Sequence, residues 1–347
     1  MWIHVLLVII GFVLLYYGAE WLVKGSANLA RSLGISSVVI GLTVVAFGTS
    51  APELVVSVIA SITDKSMIAV GNVVGSNIAN IALVLGAAAF LMPITADRSV
   101  IRRDIPLMLA ISIYLMILSI DSNISRIEGV TLFCGVILYV IFNYWISAKE
   151  KRMALEKAAG NPGDAAAAAA EDAIGAPEPV TDAEAEVEEI GIIESRPKQI
   201  LLIIVGIAGV IIGAQVLVDS AVVIMKSLGV SEKFIGLTIV AVGTTLPELA
   251  TSIVAAVRKQ MDISIGNLIG SNVFNIMAVI GAAGIVRPIS IPGGFFESGL
   301  IYDYLVMMVV AFLPWVFMRR DYTIRRYGGF ILLCCYAGYI TYLVYMG

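Results

Sequence analysis

The sequence predicts an all-α integral membrane protein of ten transmembrane helices, arranged as two inverted five-helix repeats with broken helices at the midplane. Three observations predict it. Of the 347 residues, 59% are apolar and only 14% charged, with a mean hydropathy of +0.97, whereas an ordinary soluble domain carries about 25% charged residues. Two blocks of sequence occur twice at a single offset. In each copy of the first block, a proline and a glutamate interrupt an otherwise apolar segment.

A span needs about 20 mostly apolar residues. The candidates are 2–23, 37–62, 67–91, 104–121, 127–147, 199–219, 232–257, 262–286, 299–318 and 328–346. The first does not read as a cleavable signal, because it lacks a basic leading region and runs on into Glu20, Trp21 and Lys24. Cys134, Cys334 and Cys335 lie in spans and read as small packing residues, and His4 is the only histidine, which sets aside a histidine metal site. Glu20, Asp104 and Asp303 fall near span ends and read as interfacial or snorkelling residues, and Trp21, Trp145 and Trp315 as interface anchors.

The repeat is the strongest signal. "GLTVVAFGTSAPELVVS" from Gly41 returns as "GLTIVAVGTTLPELATS" from Gly236, with 11 of 17 positions identical. "GNVVGSNIANI" from Gly71 returns as "GNLIGSNVFNI" from Gly266, with 7 of 11 identical. Both pairs are 195 residues apart, and the match extends to Gly18 with Gly213, Ser32 with Ser227 and Pro93 with Pro288. Five spans per copy is an odd number, so the second copy enters the membrane upside down, a plan that places a substrate site at the midplane between the halves. The organisation expected is a first repeat over 1–147, an acidic, Ala-rich linker over 148–198 and a second, inverted repeat over 199–347.

Alternate loops carry five Lys and Arg on one side and 17 on the other. The positive-inside rule makes the richer side cytoplasmic. Both termini then lie outside and the linker inside, in a multi-pass protein of the cell membrane. Residues 171–194 of the linker hold nine acidic residues and no basic one, which reads as a solvated segment.

The chemistry sits at the interruptions. Pro52 has no N–H, and its ring collides with the carbonyl of Gly48, so the helix breaks there, with Ser50 expected as N-cap of a second half-helix. Broken backbone at membrane depth is tolerated only where it is buried in protein or lines a cavity. Thr49, Ser50, Glu53 and freed carbonyls form one cluster of oxygens; Thr244, Thr245 and Glu248 form the other. In the second block, Asn72, Ser76 and Asn80 share a helix face, as do Asn267, Ser271 and Asn275, while Gly71, Gly75, Gly266 and Gly270 permit close approach. Asn77 and Asn272 point elsewhere, as helix contacts. Two carboxylates among neutral oxygens suit Ca²⁺, which takes 6–8 hard oxygens, better than Mg²⁺. They equally admit several Na⁺, or protons. Mutually exclusive occupancy is a basis for exchange.

At "GTSAPE" with "GNVVGSNIAN" and "GTTLPE" with "GNLIGSNVFN", the chain resembles the cation/calcium exchanger superfamily, in particular its prokaryotic sodium/calcium exchangers. The resemblance covers both halves and omits the linker. It implies a secondary-active antiporter that exchanges calcium for sodium by alternating access, with calcium and sodium ions and the lipid bilayer as partners. No enzyme activity, cofactor, nucleic acid or obligate protein partner is expected. It implies Glu53, Glu248, Thr49 and Thr244 as calcium ligands. Ser50, Thr245, Ser76 and Ser271 are implied for sodium, Ala46 and Ala241 as carbonyl donors, and Asn80 and Asn275 as the remaining polar lining. Some relatives, potassium-dependent exchangers among them, carry Asp where Asn275 stands, so this chain resembles the potassium-independent ones. A proton-coupled calcium antiporter and a cation channel are the alternative readings.

Overall fold

The structure, a computed structural model, describes residues 2–160, 192–228 and 243–346. Helix α1 spans Trp2–Leu33, α2 Ser37–Thr49, α3 Ala51–Ile62, α4 Ser66–Leu91, α5 Ile105–Ser119 and α6 Arg126–Gly160. Helix α7 spans Arg196–Ser227, α8 Leu246–Val257, α9 Met261–Val286, α10 Leu300–Met318 and α11 Arg326–Met346. The described residues also hold four two-residue strands: β1 Ile94–Thr95, β2 Asn123–Ile124, β3 Ile289–Ser290 and β4 Thr323–Ile324.

Local chemistry explains where these helices stop. Leu33 ends α1 because Gly34 turns at φ 63°, and the N–H of Ile35 closes back on the carbonyl of Ala30 at 3.1 Å. Pro93 and Pro288 force the residue before them into extended backbone, and Met92 and Arg287 accordingly sit at φ −137° and −149° beyond α4 and α9. Pro52 lies in the first turn of α3, where its missing N–H costs nothing, and α2 and α3 meet at a 47° bend.

Seven helices among the described residues are long and apolar enough to cross a membrane, or eight with α2 and α3 counted as one bent span. The expected ten is therefore not reached on that test. Helix α5 has 15 residues, about 22 Å at 1.5 Å per residue, against a hydrocarbon core of about 30 Å; a π-helical turn, Val100–Asp104, leads into it. The 232–257 candidate is described only from Gly243, as the 12-residue α8. Helices α1, α6 and α7 run past the expected span ends, and α6 continues to Gly160, into the residues assigned to the linker. The linker's acidic stretch lies outside the described residues apart from its last few positions.

The surface is inverted relative to a soluble protein. Phe12, Leu138, Ile204 and Val309 are exposed, while Glu53, Asn80, Glu248 and Asn275 are buried. Cys134 and Cys334 are exposed as well, which corrects their reading as packing residues. Asp104 is buried rather than snorkelling: Arg103 grips both its oxygens, at 2.7 and 3.1 Å, so its charge is met within the protein. Asp303 accepts from Tyr339 Oη at 3.0 Å, and Glu20 pairs with Arg258 at 2.6 Å.

Between helices the contacts are of backbone on backbone. A Cβ added to Gly18 would lie 2.6 Å from the amide nitrogen of Val210, and one on Gly206 would lie 2.5 Å from that of Leu22. Contacts run from Gly11 near Leu217 to Gly25 near Gln199, so α1 and α7 are antiparallel. Small residues at such crossings let helices approach where lipid offers no hydrophobic drive for association. The two halves also exchange their ends. Helix α6 packs on α9 at Gly129 and Gly281, and α11 packs on α4 at Gly329 and Gly86. Strand β1 pairs with β4 and β2 with β3, both antiparallel, burying Ile94 with Ile324 and Ile124 with Ile289. Every one of these contacts joins a residue before 148 to one after 198.

Replacing Gly18 by leucine must force α1 from α7. Overpacking costs about 1–3 kcal/mol or more, so thermal unfolding in detergent should begin several degrees earlier. Gly338→Ala in α11, where an added Cβ meets nothing within 4 Å, should be neutral or slightly stabilising, since alanine favours helix by up to about 1 kcal/mol.

Candidate cation site

The break at Pro52 leaves Ser50 at the N-cap position of α3, with φ −81° and ψ 6°, and Thr245 holds the same place before α8, with φ −87° and ψ −3°. Neither side chain caps its helix. This corrects the expectation for Ser50: its Oγ reaches across to Glu248 Oε1, at 3.4 Å, rather than back to its own helix. The buried carboxylate of the other half is the stronger acceptor for that hydroxyl.

Glu53 and Glu248 each occupy the first turn of a 12-residue helix, where the unpaired N–H groups and the helix dipole favour negative charge. Both are buried, at 1% and 0% exposure. The side chains of Thr244 and Ser76 stand against the Glu53 carboxylate, and those of Thr49 and Ser50 against that of Glu248. Ser50, three residues before Glu53, has its Oγ 3.4 Å from Glu248 Oε1, which brings the starts of the two helices that carry the glutamates together. Each carboxylate is thus surrounded in part by hydroxyls of the opposite half.

The remaining oxygens gather around them. Thr49 Oγ1 lies 3.1 Å from Asn267 Oδ1 and 3.4 Å from Ser271 Oγ. The carbonyl of Ala46 accepts the Ser50 N–H at 3.0 Å and Thr49 Oγ1 at 3.4 Å, so it is bonded at the break rather than freed by it. Ala241 lies outside the described residues. Thr244 is half-buried, and Thr245 is buried with an Oγ1 that makes no hydrogen bond. Asn80 and Asn275 are buried, and each begins a π-helical turn, Asn80–Leu85 in α4 and Asn275–Ile280 in α9. Such turns are frequent at functional sites.

Motif reading undervalued several neighbours. Asn72 Nδ2 donates to Ser57 Oγ at 2.9 Å and to the carbonyl of Glu53 at 3.3 Å, and Asn267 Nδ2 donates to Ser252 Oγ at 3.2 Å. Ser57 and Ser252 follow the glutamates by one turn in both copies, and that spacing was the signal for them. Asn77 and Asn272, expected to fix helix contacts, do join helices, and their partners include asparagines of the opposite half.

Glu53 Oε2, Glu248 Oε2, Asn80 Oδ1 and Asn275 Oδ1 are all buried and accept no hydrogen bond from the protein. Buried polar atoms are nearly always satisfied, and an unpaired buried charge costs several kcal/mol. The buried residues among those described include no Lys, Arg or His, and no group of three His, Cys, Asp or Glu side chains gathers there. The site therefore holds at most two negative charges, among neutral oxygens. That set attracts hard cations carrying about two positive charges in total.

The chain is similar to known proteins over nearly its whole length. Residues 3–145 and 198–345 match the family described as sodium/calcium exchanger protein. The chain is 34% identical to the putative antiporter CaxA of Alkalimonas amylolytica and 31% identical to the sodium/calcium exchanger MaX1 of Methanosarcina acetivorans, over 99% of both chains in each case. It is similar to the solved structure of the sodium-calcium exchanger NCX_Mj soaked with 2.5 mM Na⁺ and 0.1 mM Ca²⁺, with a TM-score of 0.77, 30% identity and 98% of each chain covered.

A cation that binds the folded site stabilises it by mass action, by about 2.7 kcal/mol at 100 times its Kd. Purified protein stripped of Na⁺ and Ca²⁺ should therefore melt several degrees higher once Ca²⁺ is added. The gain should vanish in Glu53→Gln, as read by thermal unfolding in detergent.

Proposed function

We propose, for a chain that belongs to the sodium/calcium exchanger family, that it is a secondary-active antiporter exchanging Ca²⁺ for Na⁺ across the membrane by alternating access. The observation that carries this is the pair of buried carboxylates, one from each half, each left with an unpartnered oxygen. Two negative charges in a water-poor setting must be balanced. One Ca²⁺ balances them, and so do Na⁺ ions in adjoining sub-sites; each occupancy excludes the other. Exchange follows if the empty, doubly charged site crosses the membrane far more slowly than the filled one.

In this reading Glu53, Glu248, Thr49 and Thr244 ligate Ca²⁺. Ser50, Thr245, Ser76 and Ser271 serve Na⁺, with the carbonyls of Ala46 and Ala241, and Asn80 and Asn275 complete the lining. The two family matches, one per half, together with the antiparallel packing of α1 on α7, support ten helices as inverted repeats over 1–147 and 199–347, joined by the 148–198 linker. Related motions of such halves would open one central site to either face. The charge asymmetry of the loops supports termini outside and the linker in the cytoplasm.

Uptake of ⁴⁵Ca²⁺ into proteoliposomes tests the coupling. Uptake should require an outward Na⁺ gradient, and Glu53→Gln or Glu248→Gln should abolish it in a folded protein. Equal uptake in choline medium driven only by a pH gradient would instead establish proton coupling. Uptake without any counter-ion gradient would establish a channel.

A further inference from the structure

We propose that Asn77 and Asn272 are positioning residues: each grips the amide nitrogen of an asparagine in the opposite half and so turns that asparagine's carbonyl oxygen toward the cation site. The proposal rests on the exchanger reading for the identity of the site; its geometry stands on the bonds themselves.

An asparagine amide has an oxygen end that attracts a cation and an NH₂ end that repels one. The two ends are almost equal in size, so only the surroundings decide which faces where. Asn80 Nδ2 donates to Asn272 Oδ1 at 3.1 Å, and Asn275 Nδ2 donates to Asn77 Oδ1 at 3.2 Å. Both bonds cross between the halves, and they are counterparts at the 195-residue offset. With each NH₂ engaged on the far half, Oδ1 of Asn80 and Oδ1 of Asn275 are the ends left over. Both are buried and unpartnered.

The gripping residues are themselves oriented. Asn77 Nδ2 donates to the carbonyl of Asn272 at 3.4 Å and to Met307 Sδ at 3.8 Å, and Asn272 Nδ2 donates to Met108 Sδ at 3.5 Å. With their own NH₂ groups directed there, their oxygens face the partner asparagine. All four residues are at most 2% exposed, so water does not compete. The place is right as well. Ser76, one turn before Asn80, stands against Glu53, and Ser271, one turn before Asn275, contacts Thr49. The π-helical turn at Asn80 packs on α8, which carries Glu248, and the turn at Asn275 packs on α3, which carries Glu53.

The test exploits the symmetry of a carboxylate. Aspartate at 275 presents oxygen whichever way it is turned, so it needs no grip. Asn77→Ala is compared in the Asn275 and Asn275→Asp backgrounds, and Asn272→Ala in the Asn80 and Asn80→Asp backgrounds. The readouts, on purified protein in detergent, are the Kd for ⁴⁵Ca²⁺ and the Na⁺ concentration that displaces half of it. In the asparagine backgrounds the alanine variants should weaken one or both by about tenfold, the scale of one misdirected buried hydrogen-bonding group. In the aspartate backgrounds the same alanine should change them less than about twofold. Equal losses in both backgrounds, or no loss in either, overturn the proposal, because a residue that merely packs does not sense the symmetry of its neighbour. Should Asn77→Ala fail to fold, the mirrored Asn272→Ala pair carries the test. A wild-type chain with no Na⁺-displaceable ⁴⁵Ca²⁺ binding would overturn the exchanger reading and this proposal with it, whereas failure of the background comparison in a binding-competent protein overturns this proposal alone.

Discussion

Everything in the centre of this molecule answers to the meeting of two carboxylates in a place closed to bulk solvent. At 4 Å two like charges repel by about 4 kcal/mol even at an effective dielectric of 20, and burial adds a desolvation cost of several kcal/mol for each ion. The protein meets part of that cost with its own groups. Each glutamate sits on the first turn of its helix; Glu53 faces the hydroxyl of Thr244, and Glu248 those of Thr49 and Ser50, from the other half. The part left unmet is visible as oxygens without partners, and that residue of unsatisfied charge is what a cation would be drawn to.

The surrounding architecture keeps the pair close. Carboxylates that repel would separate if their helices were free to move apart. The halves are instead locked by contacts in which backbone meets backbone, at Gly18 on Val210, Gly281 on Phe133 and Gly329 on Phe90, and by strand pairs that tie each half to the other at its rim. Helix α6 packs on α9 and α11 on α4, so each half closes its packing with a helix of the other. Fold and site are thus joined: the contacts that make the protein one body are those that oppose the two charges.

Much of this was legible in the residues. The 195-residue offset foretold that Glu53 and Glu248 would hold matching places, each in the first turn of a helix, and Pro52 foretold the break before α3, because the effect of proline on a helix is local. Seven of the expected spans, or eight with the bent pair α2 and α3, pass as membrane spans among the described residues; α5, with 15 residues after the π-helical turn of Val100–Asp104, falls below the length test, and the 232–257 candidate is described only from Gly243. What could not be read was which side chain meets which across the halves. Ser50 looked like a cap and serves Glu248; Asn77 and Asn272 looked like helix contacts and make them through asparagines 198 and 192 residues distant. Asp104 looked interfacial, and the grip of Arg103 allows it to be buried. For Ser50, Asn77 and Asn272 the partner is one that only the tertiary fold supplies, whereas that of Asp104 is its own neighbour in sequence.

The central claim is that the two glutamates share one cation. Anomalous diffraction from crystals soaked with Sr²⁺, an oxygen-seeking divalent ion like Ca²⁺, tests it most directly. The account predicts a dominant peak between Glu53 and Glu248, at a distance from both carboxylates slightly beyond the roughly 2.3–2.6 Å of Ca²⁺–oxygen bonds. A peak that touches only one of them, or none at the pair at saturating Sr²⁺, would contradict it.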